Sequence, residues 1–215
     1  MPATDSAMGP PMGSDSSSGV PGAKTTNEWA SPAILGMLAF GLTIILFGLS
    51  RLPHPYGTNF SGFAGIPDVE LVLGGLILII AGLIGLRTGH LYWGSAFLGY
   101  SAFWLSFGIL GTTGEGFATA GFFFIWMLFT LTFLISSMKH GWVTFFFFLL
   151  LFVGVVLMLV EFWQAGAAFV PGNTKISAGE MWAVGGEWIL TGLVAWYSGT
   201  ASLTNHTYNR KLLPA

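Results

Sequence analysis

Residues 142–163 read WVTFFFFLLLFVGVVLMLVEFW, and this stretch decides the class of fold. Its only charged side chain is Glu161. A helix rises about 1.5 Å per residue, so a run of this length crosses a hydrocarbon layer roughly 30 Å thick. Working outward, five more apolar stretches of similar length appear, at 32–50, 69–86, 91–110, 117–138 and 183–203. The whole chain is 53% hydrophobic, 16% aromatic and 7% charged. Soluble domains carry about 25% charged residues, so this composition belongs to a chain dissolved in lipid. The sequence predicts an all-α integral membrane protein with six transmembrane helices.

The connections set the topology. Arg87-Thr88-Gly89-His90 and Lys139-His140-Gly141 are short polar breaks, which make the helices on either side antiparallel neighbours. With the N-terminus inside, the inner side holds Lys24, Arg87, Lys139, Arg210 and Lys211, and the outer side only Arg51 and Lys175. This excess of inner cations predicts that both termini are cytoplasmic. Residues 1–30, rich in Ser, Gly and Pro, read as a disordered cytoplasmic tail. Residues 31–205 form the transmembrane domain, and 206–215 a short cytoplasmic C-terminal tail. No basic start or early apolar core marks a cleaved signal, so the helices themselves drive insertion.

Several chemistries are excluded. With no cysteine, thiolate zinc sites, iron–sulfur clusters and thiol catalysis are absent. A net charge of −2 without a basic run gives no reason to expect nucleic acid. His54, His90, His140 and His206 fall in loops, turns and the tail, and no spacing suggests metal. No Ser–His–Asp constellation lies in the apolar stretches, so an enzyme is not expected. A retinal pump needs a lysine in a late helix, and Val184–Leu203 has none. No cofactor is expected.

Polar and small residues on the helices are the candidates for chemistry. Ser31-Pro32 is a good N-cap followed by proline at the first helical position, and the free N–H groups behind it suit a carboxylate. Gly36, Phe40, Thr43 and Phe47 then fall on one face of the first helix, as a pore wall or as simple packing. The third stretch offers Ser95, Gly99, Ala102 and Ser106 on a small face, with Tyr100, Trp104 and Phe107 beside it. Gly185, Gly192 and Gly199 recur every seven residues, which predicts close packing along the last helix. Glu161 is either a titrating group that couples proton entry or a paired acid near the outer end. Glu187 is read as beginning the last helix, where a carboxylate suits the dipole.

Ser31-Pro32-Ala33-Ile34-Leu35-Gly36-Met37 resembles the signature Asn-Pro-Ala-Pro-Leu-Gly-Leu of the acetate uptake transporter family, which includes bacterial succinate–acetate permeases and fungal acetate transporters. Ala96–Leu105, Gly192–Tyr197 and the end from Asn205 to Pro214 are similar to further family stretches in the same order. The resemblance implies a plasma-membrane hexamer whose subunits each pass acetate, other small monocarboxylates and often succinate, by a channel or a proton-coupled mechanism. It carries over a constriction of Phe40, Tyr100 and Leu151. Ser31, Pro32, Leu35, Gly36, Thr43, Ser95, Trp104 and Ala195 follow as carboxylate-binding or pore-lining residues. Ser31 and Ile34 depart from the signature Asn and Pro, which changes the first contact with a carboxylate. The alternative is a non-conducting acetate sensor or regulator of the same fold.

Overall fold

The computed structural model describes residues 31–53, 66–110, 116–166 and 177–214. The expected tail at 1–30, and with it Lys24, lies outside these, as do His54 and Lys175. The regular structure among the described residues is all helical: α1 (Pro32–Arg51), α2 (Ile66–Glu70), a π-helical stretch (Leu71–Ile77), α3 (Leu78–Arg87), α4 (Leu91–Leu110), α5 (Gly116–Ser137), α6 (Trp142–Ala165) and α7 (Ala178–Thr207). Because α2, the π stretch and α3 run on without a break, six rods result. Pro32–Arg51, Asp68–Arg87, Phe117–Ser137 and Trp142–Gln164 are long and apolar enough to cross a membrane. The other two rods, α4 and α7, dilute their apolar residues with Gly, Ser and Thr.

Glycine brings α1 and α7 together. A Cβ on Gly41 would lie 2.8 Å from the Gly192 carbonyl oxygen, and one on Gly48 would lie 2.8 Å from that of Gly185. Leu38 packs over Gly199 at the far end, so the two helices are antiparallel. The heptad glycines therefore form a backbone-to-backbone seam, as expected of small residues in lipid. Gly82 and Gly85 meet Leu98 and Gly94 in the same way, joining α3 to α4. The intervening turn puts Gly89 at φ +80°, and the turn before α6 puts Gly141 at φ +98°, a region where side chains are strained.

The surface is apolar. Ile80, Leu83, Ile125 and Ile135 are all more than half exposed, an arrangement that only lipid or a neighbouring subunit tolerates. Trp142 and Trp163 project from opposite ends of α6, where amphipathic rings anchor helices at interfaces.

Three features differ from the sequence reading. The first is a π-helical stretch inside the second rod, where Gly74 lets the Trp104 ring approach. The second is the start of the last helix, which begins at Ala178 rather than near 183 because Ser177 and Glu180 form a capping box. Ser177 N–H donates to Glu180 Oε2 at 2.8 Å, and Glu180 N–H donates to Ser177 Oγ at 3.2 Å. Hydrogen bonds from the Ser177 side chain and then its backbone hold the Glu180 carboxyl below the usual 4.5. A depressed carboxyl stabilises the cap at neutral pH, and that contribution disappears as pH falls below about 4.5 through the folded value. Amide exchange at Met181 and Trp182 should therefore accelerate on acidification relative to mid-α7, and this difference should vanish in Ser177→Ala.

The third concerns the C-terminus, where α7 continues through Thr207, past the expected boundary at 205. The last residues then fold back onto it. Asn205 Oδ1 accepts from Leu212 N–H and Leu213 N–H, and its Nδ2 donates to the Leu213 carbonyl at 2.7 Å. Tyr197 donates to the Pro214 carbonyl at 2.9 Å. The Asn205–Pro214 end is thus a docked cap.

Candidate functional site

The face of α1 predicted from spacing is buried along its length: Gly36, Phe40, Thr43 and Phe47 all point into the bundle. Gly36, Phe40 and Phe47 meet aromatic side chains from other rods. The Phe97 ring covers Gly36. Phe40 lies 4.8 Å from the Tyr100 ring and 5.6 Å from Phe147, centroid to centroid. Phe47 makes edge contacts with Trp104 at 5.6 Å and Trp188 at 5.1 Å. Such edge-to-face pairs are favoured by the ring quadrupoles.

The structure brings Phe40, Tyr100 and Leu151 into one buried cluster with Trp104 and Ala195. Leu151 sits one turn after Phe147, the α6 residue that touches Phe40. The hydroxyls are less free than the sequence suggested. Tyr100 donates to Thr130 Oγ1 at 2.9 Å, and Thr130 in turn donates to the Trp126 carbonyl at 2.7 Å. Thr43 donates to the Ala39 carbonyl at 2.8 Å. Both retain acceptor lone pairs but have their protons committed to helices, so neither offers a ready donor to an anion. Ser95 is half-buried on α4, more than a turn before Tyr100.

Two expected residues fall elsewhere. Leu35 is 43% exposed and shares its outward stripe with Leu42 and Leu49, seven residues apart. It stands on the side of α1 away from Phe40, because one residue along a helix rotates about 100°. Ser31 occupies the N-cap position but is exposed, and its side chain makes no capping hydrogen bond. Pro32 is at the first helical position and buried.

At the other end of α1, Arg51 Nη2 donates to Glu161 Oε1. The Arg51 guanidinium also lies 5.9 Å from the Phe47 and Phe162 ring centroids, so the ion pair sits on aromatic faces. Glu161 is therefore held by a cation on the neighbouring rod. His140 stacks on Tyr92 at 3.9 Å, and His90 Nδ1 lies 2.9 Å from Thr88 Oγ1. Both stay in the turns, as the sequence suggested.

A second group of residues goes beyond the sequence reading, which named only Trp104 and Glu187 of it. Glu187 does not begin its helix: with α7 starting at Ala178, it lies more than two turns inside. Its Oε1 accepts from Thr191 Oγ1 at 2.7 Å, whereas its Oε2 is buried with no hydrogen-bond partner. Trp104 Nε1, Trp188 Nε1 and Glu70 Oε1 are also buried and unpartnered. Buried polar groups are nearly always satisfied, so these four atoms are exceptions, and two of them belong to rings that meet Phe47. Two signals were present in the sequence. Ser177-x-x-Glu180 is a capping-box pattern that moves the helix start, and Glu187 and Thr191 have the i, i+4 spacing of a bonded pair.

The chain is similar in sequence and fold to known proteins. The profile of the GPR1/FUN34/yaaH family matches residues 16–211. Acetate permease A of Emericella nidulans is 26% identical over 98% of this chain and 74% of its own length. The succinate-acetate/proton symporter SatP of Escherichia coli is 27% identical over 86% of this chain and 94% of its own. The solved structure of the bacterial acetate channel SatP superposes with a TM-score of 0.72 at 27% identity, covering 87% of this chain and 99% of that one.

Proposed function

Because the chain belongs to the GPR1/FUN34/yaaH family, we propose that it carries acetate and other small carboxylates, succinate among them, across the plasma membrane through each subunit. It is a multi-pass membrane protein and not an enzyme. The observation that carries the reading is the buried meeting of Phe40 and Tyr100 at 4.8 Å, with Leu151 in the same cluster. Three rods contribute one side chain each to a narrow apolar collar. A fixed cation at the collar would hold an anion too tightly for it to leave, whereas rings and a leucine let the methyl end pass. The names of SatP and acetate permease A support the substrate class.

The same proposal includes all six rods crossing the membrane, both termini cytoplasmic, residues 1–30 as a disordered tail, and a hexameric assembly. Ser31, Pro32, Gly36, Thr43, Ser95, Trp104 and Ala195 belong to the carboxylate path in this reading, and Leu35 to the outer face of α1. Purified full-length protein in liposomes should take up labelled acetate faster than empty vesicles do. Uptake equal to that of empty vesicles would leave the non-conducting sensor as the reading.

A further inference from the structure

The proposed collar holds no cation, so a first grip on a carboxylate needs another residue. Gly36, Phe40, Thr43 and Phe47 share one face of α1, and one further turn along that face brings Arg51, the last residue of the helix. Its guanidinium lies 5.9 Å from the ring centroids of Phe47 and Phe162, at the end of the aromatic line. Arg51 Nη2 donates to Glu161 Oε1, and the two side chains keep 23% and 11% of their surface exposed. Trp163, two residues on from Glu161, is 66% exposed at the interfacial end of α6, which puts the pair beside water.

The charges at this end make Arg51 the one attractive point for an anion. The packing sets the end of α1 beside the end of α6 and the starts of α2 and α7. Among the described residues there, Asp68, Glu70, Glu161 and Glu180 are acids and Arg51 is the sole cation. Arg87, Lys139, Arg210 and Lys211 lie at the opposite helix ends. Glu70 is 7% exposed and within reach of the Arg51 charge, and its Oε1 has no hydrogen-bond partner. An approaching carboxylate is therefore repelled everywhere except at the guanidinium. That group carries five N–H donors in a planar fork that matches a carboxylate. Glu161 is itself a carboxylate, so the pair displays the kind of ligand that this cation takes.

We infer that Arg51 is the entry site for the substrate carboxylate and that Glu161 is a tethered competitor, which the substrate displaces. The inference rests on the carboxylate-transport reading above. One carboxylate replaces another on the same guanidinium, so the cation is never left unpaired, and the displaced Glu161 turns toward water. Its return expels the substrate, either inward past Phe47 or back to the medium. A lone fixed cation would hold the anion too tightly for transport. A competitor carried on the neighbouring rod acts at high effective concentration and keeps the exchange fast. The Phe47 and Phe162 rings hold the guanidinium in place while its partner changes.

The test is the half-saturation of labelled acetate uptake by intact cells that carry the full-length protein, corrected for cells without it. Arg51→Gln should raise half-saturation about tenfold, the loss of a hydrogen bond to a charged group. Arg51→Lys keeps the charge but not the fork, and should fall between the two. Glu161→Gln removes the charged competitor and should lower half-saturation about tenfold, the opposite of what a broken structural pair would do. Combining Arg51→Gln with Glu161→Gln should give the half-saturation of Arg51→Gln alone, because Glu161 acts only through Arg51. In the purified unmodified protein, acetate should slow phenylglyoxal modification of Arg51 more than chloride does at equal ionic strength, with no such protection of Arg87 or Arg210. A half-saturation unchanged in Arg51→Gln, or unchanged or raised in Glu161→Gln, overturns the entry site while transport stands. Equal modification of Arg51 in acetate and chloride does the same. Absence of uptake by the unmodified protein overturns the transport reading itself. Should Arg51→Gln fail to reach the membrane, Glu161→Gln and the protection of Arg51 decide the matter.

Discussion

Gly192→Ala should destabilise the protein by about 2 to 3 kcal/mol, the cost of forcing a methyl into a packed core. The added Cβ would lie 2.7 Å from the Ile45 backbone nitrogen and 2.8 Å from the Gly41 carbonyl oxygen. Neither atom has a rotamer to change, so α1 and α7 must separate. Separation is not local, because the same seam continues through Gly48 and Gly185 and ends where Leu38 covers Gly199. Lipid supplies no hydrophobic drive to restore the contact, and dispersion falls steeply with distance. Gly186→Ala is the matched control on the same helix: a Cβ there meets nothing within 4 Å, and alanine is the better helix former. Thermal unfolding in detergent, followed by tryptophan fluorescence, should show a marked loss for Gly192→Ala and no loss for Gly186→Ala. Equal midpoints would show that the heptad glycines do not hold the two helices together.

The seam was legible in the sequence because a spacing of seven puts Gly185, Gly192 and Gly199 on one side of any helix. The same periodicity placed Gly36, Phe40, Thr43 and Phe47 together, and all four are buried. What spacing could not give was direction relative to other rods. Leu35 belongs to the same quoted motif as Gly36, yet one residue of rotation turns it outward to 43% exposure. Hydroxyls raised a similar difficulty. Tyr100 and Thr43 look like anion ligands in a list of residues, but their protons go to Thr130 and the Ala39 carbonyl. Glu187 was misplaced for a different reason. The apolar run begins near 183, but a helix begins where its first N–H groups are capped, and Ser177 does that several residues earlier. Hydropathy reports the solvent around a helix, and caps report where the backbone turns.

The proposed collar makes the second strong prediction, that Tyr100→Ala and Leu151→Ala each raise uptake of lactate relative to acetate by about tenfold, the usual value of one small group in an apolar pocket. Tyr100 is 2% exposed and packs on Phe40, and Leu151 is 2% exposed in the same cluster, so truncation of either opens space within that cluster. The carboxylate chemistry of lactate is that of acetate, so only size and one hydroxyl separate the two cargoes. Removing a buried side chain of this size also costs about 2 to 5 kcal/mol of stability, and rates must be compared per folded molecule. Tyr100→Phe separates the two roles of the residue. It keeps the ring against Phe40 and removes the bond to Thr130, so the lactate-to-acetate ratio should stay at the original value even if stability falls. An increase in both alanine variants but not in phenylalanine assigns selectivity to bulk at the collar. An unchanged ratio in both alanine variants would move the constriction away from Phe40, Tyr100 and Leu151, toward the Phe47 contacts with Trp104 and Trp188.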